Sequence, residues 1–254
     1  MTALRICVLG LGEAGAWIAG DLAAAGAPVA AWDPVVAAAP DGVALAAGLA
    51  DAVAGAELVL SINAASVAVA VAAEAAGALA DGAVFADLNA AAPATKADAA
   101  EAVAPALFAD VALLGPVPRR GLRTPCLVSG SGAEAYAAWC TELDVPVEVV
   151  PGGAGAASTR KLLRSVFTKG LAAAAIEALA AARAAGCEPW LRDDIVATLE
   201  GADAALLARL EEGSRAHARR RVDEMEAAAE LLRSLGVEPR VAEAAAGWLR
   251  ELDA

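Results

Sequence analysis

Residues 6–15 read ICVLGLGEAG, and the reading of this stretch decides the fold. A short apolar run stops at Gly10, three glycines follow in the spacing G-x-G-x-x-G at Gly10, Gly12 and Gly15, and an alanine-rich stretch opens at once. The run reads as a buried strand and the stretch after it as a helix, with the glycines turning the corner between them. In that setting the first glycine permits a tight turn. The second lets the backbone approach a pyrophosphate, and the third lets helix and strand pack closely. A helix N-terminus also offers unpaired N–H groups and a partial positive charge to phosphate. The alternative is a glycine-rich corner with no ligand.

Asp33 closes the next apolar run, at the place where an acid takes the ribose 2′-hydroxyl of a dinucleotide. A carboxylate there repels a 2′-phosphate, and residues 34–42 supply no lysine or arginine to bind one, so NAD is expected, with NADP the alternative. The expected cofactor contacts are Gly10, Leu11, Gly12, Glu13, Ala14, Gly15 and Asp33, with Asn63 and Ala64 at the end of a later strand.

Further along, apolar runs and helical stretches keep alternating. Strands are expected at 4–9, 28–32, 57–63, 83–89, 107–113, 126–129 and 147–149, with helices at 14–25, 67–79 and 95–103. That order predicts parallel βαβ units, and the nearly continuous apolar strands suit a sheet covered on both faces. At Pro151-Gly152-Gly153 the texture changes, and helices are expected at 156–185, 189–199, 202–212, 215–235 and 239–252. The fold class is therefore α/β: a Rossmann domain over 1–151 with a mostly parallel sheet, a long interdomain helix, and an all-α domain over 152–254. In the fourth of the later helices Val222, Met225, Ala229 and Leu232 form one apolar stripe, and Gly236 ends it as a C-cap. The helix over 156–185 is too apolar for an ordinary surface element, which predicts burial between domains or subunits.

Composition narrows the functional classes. The chain has 254 residues, 59% hydrophobic and 20% charged, with a net charge of −13. That balance is globular, and the negative charge argues against a nucleic-acid partner, which needs a basic face. Mean hydropathy is +0.57, yet the longest charge-free run, Leu58 to Ala73, falls short of the ~20 residues of a membrane span. The start of the chain lacks the pattern of a signal peptide, so a cytoplasmic protein with no membrane partner is expected. Cys7, Cys126, Cys140 and Cys187 form no C-x-x-C pair and adjoin no histidine cluster, so reduced thiols and no metal site are expected.

Five motifs carry a resemblance: GLGEAG at 10–15, DLNAAAP at 87–93, DVALLGPVP at 110–118, GAGAASTRKLLRSVFTKG at 153–170 and HARRRVDEM at 217–225. Over its whole length the chain resembles the β-hydroxyacid dehydrogenase superfamily, which includes 3-hydroxyisobutyrate dehydrogenase, phosphogluconate dehydrogenase and, more distantly, imine reductases. The last two motifs look most like a bacterial branch with a phosphogluconate-dehydrogenase-like C-terminal domain. The resemblance implies a nicotinamide cofactor on the Rossmann domain, a small-molecule substrate, and a homodimer formed through the helical parts. It also implies a lysine near the start of the linking helix as general acid or base, which by position is Lys161. Ser165 follows one turn later, where many relatives carry asparagine. The superfamily's serine-glycine-glycine substrate loop aligns with Leu114, Gly115 and Pro116, so its hydroxyl is missing here. That departure opens the way to another carbonyl or an imine as substrate.

On a helix, Lys161, Arg164, Ser165 and Thr168 share one face, while Leu162, Leu163, Val166 and Phe167 take the other. The polar face meets either solvent or a cleft, and a cleft would lower the lysine pKa towards a value useful for proton transfer. His217, the single histidine, lies among Arg215, Arg219, Arg220 and Arg221; it either contacts an anionic substrate or sits on the surface beside pairs such as Arg220 with Glu224. Asn63 and Asn89 end their strands where open parallel sheets bind ligands, and each either touches cofactor or substrate or caps a helix. The substrate-binding candidates are Asn89, Arg164, Ser165 and His217. An NAD(P)-dependent oxidoreductase is the leading expectation, with an imine reductase-like enzyme or a non-catalytic dinucleotide-binding protein as alternatives.

Overall fold

The computed structural model describes residues 4–253, so residues 1–3 and 254 of the expected domain spans lie outside the described residues. An eight-stranded sheet runs in the order β3-β2-β1-β4-β5-β6-β7-β8. Its strands are β1 (Ile6–Leu9), β2 (Val29–Trp32), β3 (Val43–Leu45), β4 (Leu58–Ser61), β5 (Val84–Asp87), β6 (Leu107–Leu113), β7 (Cys126–Ser129) and β8 (Val147–Val149). All neighbours pair in parallel except β6 with β7, where the chain doubles back. The order reverses between β1 and β4, and a crevice opens at such a point beyond the carboxyl ends of the strands.

Alternate residues of each strand feed two cores, as the pleat dictates. On one face Ile6, Val8, Leu58 and Leu60 pack with Ile18 and Leu22 of α1 (Glu13–Ala24) and with Tyr136 and Trp139 of α6 (Ala133–Glu142). On the other, Cys7, Leu9, Val59, Phe85 and Phe108 pack against α2 (Leu49–Val53), α3 (Ala68–Ala76) and α4 (Pro93–Ala102). The sheet is thus covered on both faces, as the apolar strands predict. A short helix α5 (Val117–Arg120) and a 3₁₀ turn follow β6 and pack on α1, where Asp21 accepts the Leu122 N–H at 2.7 Å.

The helical part comprises α7 (Ala156–Ala184), α8 (Glu188–Glu200), α9 (Ala204–Ala216), α10 (Ala218–Ser234) and α11 (Arg240–Leu252). The chain divides into two compact units between Arg164 and Ser165, inside α7. In the second unit α10 and α11 pack on each other, and Glu177 of α7 caps α11 by accepting the Val241 and Ala242 N–H groups at 2.8 and 2.9 Å. Gly236, at φ +74°, ends α10 in the left-handed conformation expected of a C-cap glycine.

Several expectations need correction. Strand β3 and helices α2, α5 and α6 are absent from the sequence reading: β3 is three residues long, and the 133–142 stretch carries Tyr136 and Trp139 without a strong apolar stripe. The expected helix over 67–79 opens as a 3₁₀ turn, Ala65–Val67, and ends at Ala76. Helices expected at 202–212 and 215–235 meet instead at His217, because α9 continues through Ala216. The expected burial of α7 between domains or subunits does not arise within this chain, where Leu162, Leu163, Val166, Phe167, Leu171 and Ile176 are all exposed. By length and composition α7 is also long and apolar enough to cross a membrane, although charged residues of both signs, Lys169 and Glu177 among them, interrupt it.

Candidate functional site

The glycine turn does three different jobs, and the geometry separates them. Gly10 has φ +102°, and a Cβ on it would stand 2.2 Å from the Ile62 carbonyl oxygen, so the turn and the end of β4 touch backbone to backbone. At Gly15 a Cβ would stand 1.9 Å from the Gly10 carbonyl oxygen, which forces the first turn of α1 against the loop. Both positions are closed to any side chain. Gly12 differs: no heavy atom lies within 4 Å of where its Cβ would be. Neither turning the corner nor packing the helix needs a glycine at that position, and the open space lies at the N-terminus of α1, where Gly12 is the N-cap with no side-chain partner.

That space belongs to a cavity of about 610 Å³. Its walls include Gly10, Gly12, Glu13, Ala14, Gly15, Asp33, Asn63 and Ala64, so eight of the nine expected cofactor contacts converge on it. Leu11, the ninth, is buried and contributes its N–H to Asp33. One Asp33 carboxylate oxygen accepts that N–H at 2.8 Å, and the other accepts from Val35 and Val36 at 2.8 and 2.9 Å. Partial burial raises the Asp33 pKa, but the three backbone donors outweigh it and hold the carboxyl below its ordinary value. It is therefore ionised at neutral pH.

Sequence reasoning missed the far wall. Val67, Ala70, Val71 and Glu74 line the cavity from the start and body of α3, together with Trp32 at the end of β2 and Pro34 and Val35 just beyond it. The spacing 67, 70, 71, 74 is one helical face and was legible as such, but nothing marked which way it pointed. Glu13, Asp33 and Glu74 make the charged lining wholly acidic, with no lysine or arginine among the residues around the cavity.

Neither asparagine caps a helix. Asn63 lines the cavity; its Nδ2 donates to Ser61 Oγ at 3.1 Å, and its buried Oδ1 has no partner among the described residues. Asn89 is buried behind it, where its Oδ1 accepts the Asn63 N–H at 2.5 Å. Asp87 accepts the Asn89 N–H at 2.8 Å and so stabilises that loop, as expected. Lys161 is half-buried near the start of α7, and Arg164, three residues on, is exposed. Ser165 and His217 fall in the second unit, where His217 is exposed at the α9–α10 junction and Arg220 pairs with Glu224 at 2.5 Å. Among the described residues no three histidine, cysteine, aspartate or glutamate side chains gather to hold a metal, and all four cysteines are free thiols.

Comparison with known proteins agrees with this geometry. Residues 5–114 match the NAD binding domain of 6-phosphogluconate dehydrogenase, and residues 182–252 match a domain of unknown function, DUF1932. A conserved hypothetical protein from Sinorhizobium meliloti is 35% identical, with 98% of this chain and 88% of that one aligned at a TM-score of 0.66. A second solved structure, described as similar to 3-hydroxyacid dehydrogenases, is 25% identical over 98% of both chains at a TM-score of 0.64. The reductive aminase of Aspergillus terreus, solved with NADPH and ethyl-5-oxohexanoate, shares the fold at a TM-score of 0.79, with 20% identity over 98% of this chain and 93% of that one. A curated 28.5 kDa protein of Methanothermus fervidus is 33% identical over 122 residues, a stretch that spans 46% of this chain and only 45% of that protein.

Proposed function

The chain belongs to the β-hydroxyacid dehydrogenase superfamily, with the NAD-binding domain of its 6-phosphogluconate dehydrogenase-like members, and on that premise we propose that it is a nicotinamide-dependent oxidoreductase acting on a small hydroxyacid or carbonyl substrate. The observation that carries this reading is the open space at Gly12. A bare corner needs Gly10 and Gly15, whereas only a ligand laid against the backbone needs the middle glycine. The residues present fit a dinucleotide: free N–H groups at the start of α1 face its diphosphate, Asp33 its ribose, and the orphaned Asn63 Oδ1 supplies an acceptor on the cavity wall. With three carboxylates and no cation around the cavity, a further 2′-phosphate would meet repulsion alone, which favours NAD over NADP.

A bound nicotinamide supplies the hydride. The chain's own part is orientation and proton transfer, and Lys161 is the group we assign to hold or deliver the proton at the reacting oxygen or nitrogen. Arg164, Ser165 and His217 are the proposed substrate contacts, with the arginine suited to a carboxylate. Asn89, buried, would act by fixing Asn63.

A second reading, imine reduction, is favoured by the absence of the superfamily's serine at Leu114-Gly115-Pro116. A third, dinucleotide binding without turnover, keeps the glycine loop and has no use for Lys161. Stopped-flow assays of NADH and NADPH oxidation across panels of oxoacids, ketones and imines separate the three. Turnover of one class that is lost in K161M supports the enzyme reading, and tight NADH binding with no oxidation in any panel overturns it.

The same reading places the enzyme in the cytoplasm as a homodimer. A second copy would cover the exposed apolar faces of α7 and α8, which include Phe167, Ile176 and Trp190.

A further inference from the structure

A row of buried polar side chains crosses the first unit at one register level. Ser61, Asp87, Asp110 and Ser129 stand opposite one another on β4, β5, β6 and β7. None is more than 1% exposed. Burying such groups costs free energy unless their hydrogen bonds are remade inside, so the row needs partners. Its centre is Lys96, carried by α4 and fully buried. The Lys96 ammonium donates to the Asp87 carbonyl at 2.7 Å and to Asp87 Oδ1 at 3.1 Å, and it lies 3.4 Å from Asp110 Oδ1.

The two ends of the row reach different parts of the proposed site. At one end Ser61 Oγ accepts from Asn63 and Asn89, and Asp87 holds the Asn89 N–H, so the row backs the Asn63 wall of the cavity. At the other end Asp110 Oδ2 accepts the Gly155 and Ser158 N–H groups, each at 3.0 Å, while Asp110 Oδ1 accepts the Ser158 hydroxyl at 2.6 Å. Ser129 Oγ accepts the Ala157 N–H at 3.0 Å. The N–H groups at the start of α7, which have no partner within the helix, are therefore capped from the sheet, and the Asp110 charge complements the positive end of that helix. Backbone packing follows the same line, since a Cβ on Gly155 would stand 2.8 Å from the Pro93 carbonyl oxygen at the start of α4.

We propose that Lys96 is a positioning residue: through Asp87 it fixes the Asn63 wall, through Asp110 it fixes the first turn of α7, and so it sets Lys161, three residues beyond Ser158, relative to the dinucleotide. The functional part rests on the reading of Lys161 as the proton-transfer group. One ammonium serves two carboxylates on adjacent strands, so its removal leaves two buried anions facing each other and frees both ends together.

Hydrogen–deuterium exchange on the whole chain, with and without NADH, tests this. In the wild type, NADH slows exchange both at residues 10–16 and at residues 155–158. In K96M, exchange at 155–158 rises about tenfold or more, and NADH still protects 10–16 but no longer protects 155–158. A purely structural loss would accelerate exchange throughout and leave the two segments coupled. S158A, which removes a single bond to Asp110, shifts 155–158 in the same direction by about threefold and keeps the inference testable if K96M does not fold. Exchange at 155–158 unchanged in either variant, or NADH protection of both segments persisting in K96M, overturns the proposal. NADH failing to bind the wild type would instead overturn the dinucleotide reading, while the exchange of 155–158 in the free variants still decides whether Lys96 holds α7.

Discussion

The two units of this chain solve the burial problem to different degrees. The first closes two cores around a sheet and holds a cavity at the switch point between β1 and β4. In the second, α8 and α9 have no buried residue at all, and Trp190, Val196, Leu199, Leu207, Leu210 and Trp248 stand exposed. Its ion pairs do not fill the gap: Arg183–Glu188, Arg220–Glu224 and Arg250–Glu226 lie at the surface, where such pairs contribute little. A core needs surfaces that cover one another, and the second unit has apolar faces without enough of its own chain to cover them. On the proposed reading the halves differ in kind: the first unit would hold the dinucleotide, and the exposed apolar faces of the second would meet another copy.

The strongest test of that division concerns Lys161, which belongs to the first unit although it rides on the long helix. K161M is expected to lower turnover by about 10²–10⁴-fold while NADH affinity stays within about twofold, because a general acid or base acts on the reaction and not on cofactor binding. Equal turnover in both proteins would remove Lys161 from the chemistry. Next in size is G15A, whose Cβ meets the Gly10 carbonyl oxygen. It should cost about 1–3 kcal/mol of stability and weaken NADH binding about 100-fold, read by denaturant melts and calorimetry.

The assembly half is probed by F167E and W190E, which place a charge on exposed apolar faces. Light scattering should show the wild type as a dimer at micromolar concentration and both variants shifted towards monomer, with no change in NADH affinity about the glycine loop. A monomeric wild type would break the comparison outright.

Smaller effects sharpen it. Asp33 has a folded pKa below its ordinary value of 3.8, so its ionised form stabilises the fold above that value, and this contribution fades as pH falls through the lowered folded pKa. The melting temperature of D33N should therefore trail the wild type at neutral pH and converge with it in acid. A constant gap down to the acid range would show that Asp33 acts by shape alone. Thiol titration separates the halves most gently. Cys7, Cys126 and Cys140 are buried in the first unit, and burial pushes the Cys7 thiol up to about 12, while Cys187 in the second unit is exposed. One fast thiol per chain is expected with an aromatic disulfide reagent, and two or more would show that the first core opens readily.

How much of this was legible beforehand follows from what kind of signal each part carries. Strands β6, β7 and β8 were readable to the residue, because buried strands are written as local apolar runs bounded by turn residues. The glycine motif was readable because Gly10 and Gly15 answer backbone needs of the turn and Gly12 keeps the space before α1 clear of a side chain. Glu74 and the wall around it were not, since a helical face shows in the sequence while its direction does not. The Lys96 row was invisible for a related reason. Ser61, Asp87, Asp110 and Ser129 are separated by 26, 23 and 19 residues and share a level only once the strands are in register. For α7 an apolar helix announces that something covers it, not which molecule does.

The most direct measurement is calorimetric titration of NADH into the wild type and G12A, with melting temperatures recorded for both. Gly12 faces open space, so an alanine there should leave the melting temperature unchanged and still weaken NADH binding by about tenfold or more, since its methyl group would occupy the place proposed for the diphosphate. No heat from the wild type at millimolar NADH, or equal affinity in the two proteins, would contradict a dinucleotide lying against this loop.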